Sequence, residues 1–400
     1  MEQKQIVISG IGTISPLGSD LEQVTSALAS PPGLSTVREF EFHSFDEPVP
    51  CIRITDYDPV EVLGKKGLRN KDYATKMLLG AAETGFKTVM EECSEEERPG
   101  LCVGTAFGSI QSIGDFLSDS IVNGVNTVNP QSFANTVINS PTGNANIRYF
   151  ARNLSATLST GFNAGMDAII YAFDHIRQGY MERIIAGGLE EISYYSLLGC
   201  MRTGILSKGT AVRPFAADGD GVIMGEGCVL FMLESAQSAQ KRGSKILAEI
   251  AGCANGFDPA ALSGGQPDGA VYRMVVESAC EQAQIKPEEI DMIASGAGGN
   301  RVSDALEAKA IASVFGPDKP VTAYKAFTGE CYGASGALNV LCAMADMSAG
   351  HASGIPLEPY AHTRGIKPLF GRTAMSLNHV LVLSCSCDGN CSAIILKKVK

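Results

Sequence analysis

The chain has 400 residues, a formal net charge of −11, 45 % hydrophobic and 19 % charged residues, and 44 glycines. So acidic a balance argues against nucleic acid or an anionic membrane as the principal partner, and so apolar a composition argues against disorder. No apolar run approaches the roughly 20 residues of a membrane span, and Met1-Glu-Gln-Lys-Gln5 leads directly into an apolar strand, so a cytoplasmic location is expected.

In chain order, Ile6-Val-Ile-Ser9 reads as a buried strand entering a Gly/Pro turn that ends at Gly18. Its Gly10-Ile-Gly12 lacks the third glycine of a dinucleotide fingerprint. Residues 20–30 form a first helix, 31–59 a Pro-rich surface excursion, 68–82 a second helix and 101–105 a strand. From Gly108 to Leu117 the residues Ile110, Ile113 and Leu117 recur at i, i+3 and i+7, one face of a helix. Small residues crowd Ser155 to Ile169, a loop-to-helix turn whose helix closes at Gln178-Gly179, before a strand over 182–189. A turn into a helix start suits acyl-transfer chemistry, because backbone N–H groups and the helix dipole stabilise developing negative charge.

Arg213 to Gly227 is rich in turn residues and feeds a strand over 228–234; its Asp and Glu are read as ordering the turn. A second series follows, with strands over 245–252 and 291–295 and helices over 269–284, 304–314 and 336–347. A Pro-rich crossing near 355–359 precedes strands at 380–383 and 393–396. Strands alternating with helices imply a mainly parallel sheet in each of two similar halves, 1–244 and 245–400. The chain is too long for its twelve cysteines to be a disulfide framework. Cys385, Cys387 and Cys391 lie between apolar runs with no histidine at ligand spacing, so they read as buried free thiols, and no metal is expected.

Three stretches together resemble the β-ketoacyl synthases. Ile6 to Gly18 is similar to that family's V-I-T-G-x-G-x-x-x-P-L-G opening. Ser159-Thr160-Gly161 match the end of its nucleophile elbow, T-A-C-x-S/T-G. Arg213 to Gly227 follows R-P-F-D-x-x-R-D-G-x-x-x-G-E-G, departing at Ala216 and Gly219. The resemblance implies a thiolase-like five-layer α-β-α-β-α fold. In that family a Cys thiolate takes the acyl chain and two His residues drive decarboxylation to the attacking enolate. Laid on the family patterns, the Cys falls on Leu158, the first His on Gly296 and the second on Glu330, while Asp304, Glu307 and Lys325 are retained. The G-F-G-G loop, which supplies an oxyanion N–H and a gating Phe, matches Ser386-Cys-Asp-Gly389. Neighbouring residues on a chain point apart, so Glu330 beside Cys331 makes a poor base–nucleophile pair, and the five histidines match no catalytic position.

No catalytic residue is intact, so the resemblance narrows to the chain-length factor, or ketosynthase β subunit, of bacterial type II polyketide synthases. A silent subunit of that kind pairs with an active ketosynthase α subunit and holds the growing acyl chain in a tunnel at their interface. It binds no cofactor itself and acts with phosphopantetheinylated acyl carrier protein, docked mainly through the α subunit. The resemblance assigns Val128 to Pro141 to the dimer interface and Ile110, Ile113, Leu117 and Phe133 to the tunnel; plain core packing is the competing reading of the helical face. Two other functions remain open from the residues: an atypical active β-ketoacyl synthase or acyltransferase using other side chains, and a free-standing acyl-binding protein.

Overall fold

A computed structural model describes residues 4–94, 97–149, 153–261, 268–363 and 365–399. The first series of elements runs β1 (Ile6–Ile14), α1 (Leu21–Ala29), β2 (Ser35–Glu39), β3 (Ser44–Ile52), α2 (Pro59–Leu63), α3 (Tyr73–Glu92), β4 (Gly100–Gly104) and α4 (Ile110–Val122). It continues through α5 (Ser140–Tyr149), β5 (Ser155–Leu158), α6 (Ala164–Arg177), β6 (Arg183–Glu190), α7 (Tyr194–Thr203), β7 (Met224–Gly225), β8 (Gly227–Ser235) and α8 (Ala236–Lys241). The second comprises β9 (Ala248–Phe257), α9 (Ala270–Ala283), β10 (Met292–Ala294), α10 (Arg301–Phe315), β11 (Pro320–Thr322), α11 (Lys325–Thr328), α12 (Ser335–Ala349), β12 (His351–Ser353), β13 (Lys367–Pro368), β14 (Arg372–Ala374), β15 (His379–Cys385) and β16 (Asn390–Lys397).

Eleven strands join in the order β13-β11-β10-β15-β16-β9-β1-β8-β6-β4-β5. The two series repeat one pattern about a short antiparallel seam, where Ile6–Ile8 face Ile250–Ala248. On each side the strand next to the seam strand is antiparallel to its neighbours, β8 on one side and β16 on the other. Parallel pairing then takes over outward, through β6, β4 and β5 on one side and β15, β10, β11 and β13 on the other.

The period of two in a strand divides the apolar residues between layers. Ile184, Ala186, Val229 and Phe231 point inward to α6 and α12, as Val380, Val382, Ile394 and Leu396 do from the other side. Their neighbours Ile185, Leu230 and Met232 point outward under α3. Leu381, Leu383, Ala393 and Ile395 point outward under α9 and α10. The result is five layers, helix–sheet–helix–sheet–helix. The central α12 is buried from Ser335 to Met347, which explains a sequence apolar or small on every side.

Two expectations change here. The stretch 31–59 is not all irregular, since β2 and β3 pair with each other and β3 with β7. Ser155 to Leu158, read as part of a turn, is β5, the strand at one end of the sheet.

Candidate functional site

The crossover from β5 to α6 brings the family's elbow over the sheet. Glycines allow the approach: a Cβ on Gly104 would sit 2.0 Å from the Ala164 carbonyl oxygen, and one on Gly165 2.2 Å from that of Gly333. At the start of α6 lies a cavity of about 30 Å³, lined by Phe162, Gly296, Lys325, Glu330, Tyr332 and Cys387 among others. That is room for about one water.

Of the three positions expected to have lost the catalytic side chains, Gly296 and Glu330 meet at this cavity and Leu158 does not. Leu158 ends β5 opposite Gly104, and its side chain packs against the central core. The elbow residue that faces the cavity is Phe162, after the Gly161 turn (φ 98°) and just before the helix cap at Asn163. Ser159-Thr160-Gly161, the match that puts the nucleophile position on Leu158, lies between β5 and α6 and does not line the cavity. Asking where the helix begins, a boundary set by Asn163 and the run Ala164-Gly-Met-Asp-Ala-Ile-Ile170, points to Phe162 instead.

Each position around this cavity is closed by something specific. The Phe162 ring lies 4.2 Å from that of Tyr332, which meets Phe107 edge-on at 5.3 Å. Tyr332 is held at φ 40°, a left-handed conformation costly for a side chain of this size, with its hydroxyl 2.7 Å from Cys200 Sγ. A Cβ on Gly296 would come within 2.8 Å of the Cys385 nitrogen, so the backbone has closed over the first histidine position. At the second, Glu330 Oε2 accepts from Lys325 Nζ at 2.6 Å, and Oε1 accepts from the Tyr332 N–H at 3.0 Å and Ser335 Oγ at 2.7 Å. Burial alone would lower the Lys325 pKa, but the carboxylates of Glu330, Glu307 and Asp304 outweigh it and hold it raised.

The retained acids build loops. Asp304 accepts from the N–H groups of Phe215, Gly298 and Gly299 at 2.8, 3.1 and 2.9 Å, tying the 213–227 signature to the loop after β10. Glu307 accepts from Ser295 Oγ and the Gly296 N–H. Burial pushes Asp304 up to about 6 and Glu307 up to about 7. Within the signature, Asp220 orders Ser207 and Lys208, while Glu226 accepts from the N–H groups of Ile54 and Ile192. Cys331 is buried with its thiol donated to the Thr328 carbonyl, away from the Glu330 carboxylate, and burial drives its pKa well up.

No histidine lines the cavity. Among the described residues no group of three or more His, Cys, Asp or Glu is arranged to hold a metal ion. Cys385 and Cys391 are buried and face each other across β15 and β16, but Cys387 is exposed, so one of the three thiols read as buried is not. A larger open groove of about 1,030 Å³, elsewhere on the surface beside α3 and α8, is lined by charged side chains such as Arg242, which is paired with Glu234.

The residues that the resemblance assigns to a tunnel lie on a different surface. α4 packs with its polar side inward: Gln111 accepts from the Tyr194 N–H, Gly114 lies under the Tyr195 ring, and Ser118 meets His43 and Tyr195. Its apolar side faces away. Ile110 and Ile113 are half-buried, Leu117 is 55 % exposed and Ile121 81 %. Phe133, 63 % exposed, meets Phe116 edge-to-face at 6.0 Å. Plain core packing therefore does not account for Leu117 or Phe133. This face continues through the 3-10 turn Pro130–Asn135 to α5 and the edge strand β5, adding exposed Val125, Val137 and Ile147.

The chain matches the β-ketoacyl synthase N-terminal domain over residues 3–239 and the β-ketoacyl synthase C-terminal domain over residues 247–354. It belongs to the β-ketoacyl synthase family. It is 31 % identical to the tetracenomycin polyketide synthase ketoacyl synthase beta subunit of Streptomyces glaucescens, over 85 % of this chain and 84 % of that one. It is 27 % identical to the 3-oxoacyl-[acyl-carrier-protein] synthase 2 of Coxiella burnetii, over 85 % of each. Among solved structures, the ishigamide ketosynthase/chain length factor superposes with a TM-score of 0.91 at 23 % identity, covering all of both chains. The ketosynthase ApeO in complex with its chain length factor ApeC, from Xenorhabdus doucetiae, gives 0.86 at 19 % identity, covering 99 % of this chain and 98 % of that one. The thiolase-like ketosynthase fold is thus the fold of this chain.

Proposed function

We propose that this chain is a catalytically silent ketosynthase-like subunit, a chain-length factor, that pairs with an active ketosynthase α subunit and shapes the acyl tunnel of a type II polyketide synthase. The observation that carries the reading is the closed pocket: Phe162, Gly296 and Glu330 stand around about 30 Å³ where acyl transfer needs a nucleophile, two imidazoles and space. The exposed apolar face from α4 to β5 supports pairing. A helix that turns its polar side inward and its apolar side to solvent leaves a surface that a partner stabilises, and an unpaired edge strand offers backbone groups beside it. The similarity to a ketoacyl synthase beta subunit, and to structures described as ketosynthases with chain length factors, fits this assignment. A further similar structure is described as a type II acyl-carrier protein in complex with its ketosynthase. Carrier protein is therefore the expected source of the chain, docked mainly on the α subunit.

Co-expression with a cognate ketosynthase α subunit tests this. One stoichiometric complex is expected, with an interface on the order of 2,000 Å² or more, and the isolated chain should gain no acyl adduct from carrier thioesters. A chain that stays monomeric beside that partner, or that loads acyl groups alone, overturns the reading.

A further inference from the structure

The turn between β15 and β16 does more than lose two of the three glycines of the family's G-F-G-G loop. Asp388 Oδ2 accepts a hydrogen bond from the Phe162 N–H at 3.1 Å, and it presses on Gly161, where a Cβ would come within 2.3 Å of it. Its other oxygen accepts from the Asn390 N–H at 3.0 Å and from Ser386 Oγ. Asn390 in turn donates to the Thr160 carbonyl at 2.8 Å. Thr160 Oγ1 donates to Asp167 at 2.6 Å, and Ser392 Oγ to the same carboxylate at 2.7 Å. Asn163, at the cap position of α6, makes no side-chain cap and is engaged by Ser384 instead. Two carboxylates therefore stand at the amino end of this 14-residue helix: Asp167 in its first turn, held by Thr160 and Ser392, and Asp388, which takes the Phe162 N–H.

An acyl-transfer pocket needs that N–H for the oxygen of its tetrahedral intermediate, and the helix dipole adds to the attraction. A carboxylate already there satisfies the donor and repels a second anion. We propose that Asp388 is a built-in anion occupying the oxyanion seat, so that the pocket is shut to acyl thioesters electrostatically as well as by the loss of its reactive side chains. This rests on reading the cavity as a disused acyl site. It adds that restoring a nucleophile alone leaves the site unreactive.

A reporter thiol at the elbow tests it in the full chain. Phe162→Cys is made in a Cys387→Ser background, alone and with Asp388→Gly or Asp388→Asn, and iodoacetamide alkylation is followed at that peptide by mass spectrometry across pH. With Asp388 present the thiol should titrate at or above about 8.5. Asp388→Gly should lower it by about one unit, raising the alkylation rate at pH 7 roughly ten-fold. Asp388→Asn, which removes the charge but keeps an acceptor, should fall between. Superimposable rate–pH profiles with and without Asp388 overturn the proposal. A second measurement needs no new thiol: amide exchange over residues 159–165 should quicken in Asp388→Gly, and unchanged exchange overturns the clasp. Either failure leaves the silent-subunit reading standing, whereas an acyl adduct on the unmodified chain from carrier thioester removes that reading whatever Asp388 does.

Discussion

The pocket before α6 and the outer face of α4 are opposites. In and around the pocket the polar groups are partnered: Glu330 holds Lys325, Tyr332 and Ser335, Asp388 takes the Phe162 N–H, and the rings of Phe162 and Tyr332 pack together. On α4 the polar residues are also partnered, but by the protein beneath, and the apolar ones are left in water. A pocket that draws polar groups inward has to satisfy every buried donor and acceptor, or the fold loses stability. An exposed apolar face carries no such requirement within the chain, and what it stabilises is association. The difference separates the part of this protein that holds itself together from the part offered outward.

The comparison breaks most readily at Lys325. Lys325→Met leaves the Glu330 carboxylate without its cation and removes the same cation from Glu307 and Asp304, and breaking a buried pair of this kind costs about 3–5 kcal/mol. Glu330→Gln should cost less, because Lys325 still faces Glu307 and Asp304. Urea unfolding of the two variants gives the order, and equal losses would show the pair to be unimportant to the closed pocket.

Next is Ile121→Asp. The side chain is 81 % exposed, so unfolding of the isolated chain should shift by no more than about 0.5 kcal/mol. Assembly with an α subunit should weaken about a hundred-fold or more, as expected for a charge stranded in an apolar interface. Unchanged co-purification at limiting concentration would remove this face from the interface.

The pH dependence should belong to the interior. Burial raises Asp304 to about 6, Glu307 to about 7 and Glu190 to about 8, from unfolded values near about 4. A carboxyl raised in the folded state binds a proton that the unfolded chain has released. Its contribution is complete below the unfolded pKa and is lost as pH rises through the folded one. Asp218 and Asp220, held low first by hydrogen bonds from Arg213 and Ser207, act in the opposite sense in acid. Urea midpoints should therefore be lower near pH 8.5 than near pH 5.5 by roughly the sum of these groups' linkage, and Ile121→Asp should leave that trend unchanged.

The smallest change in stability should come from Leu117→Ala, since this residue is more exposed than buried; about 0.5 kcal/mol or less is expected in the isolated chain. In a reconstituted complex the same change should lengthen the product seen by mass spectrometry at near-normal yield. Lower yield of an unchanged product would mean that Leu117 contributes packing and not the length of the chain.

Much of this was legible in the order of residues. The strands over 182–189, 228–234, 380–383 and 393–396 all stand within a residue or a few of where the short apolar runs put them, and the signature from Arg213 to Gly227 carried the family. Gly296 and Glu330 meet at one cavity because the retained Asp304, Glu307 and Lys325 anchor their registers. Local pattern suffices for such features, since hydrophobic period and a run of anchored residues act over a few positions. The elbow was different. Ser159-Thr160-Gly161 matches the pattern in the register that puts Leu158 at the nucleophile position, and only the pairing of Leu158 with Gly104 and the start of α6 at Ala164 turn Phe162 into the cavity. Likewise the amphipathic period of 110–121 specifies a helix with an apolar face but not the direction of that face. That was decided by Gly114 lying under Tyr195 and by His43 and Tyr194 reaching Ser118 and Gln111 from elsewhere in the chain, because which side of a helix is covered depends on what distant residues fold against it.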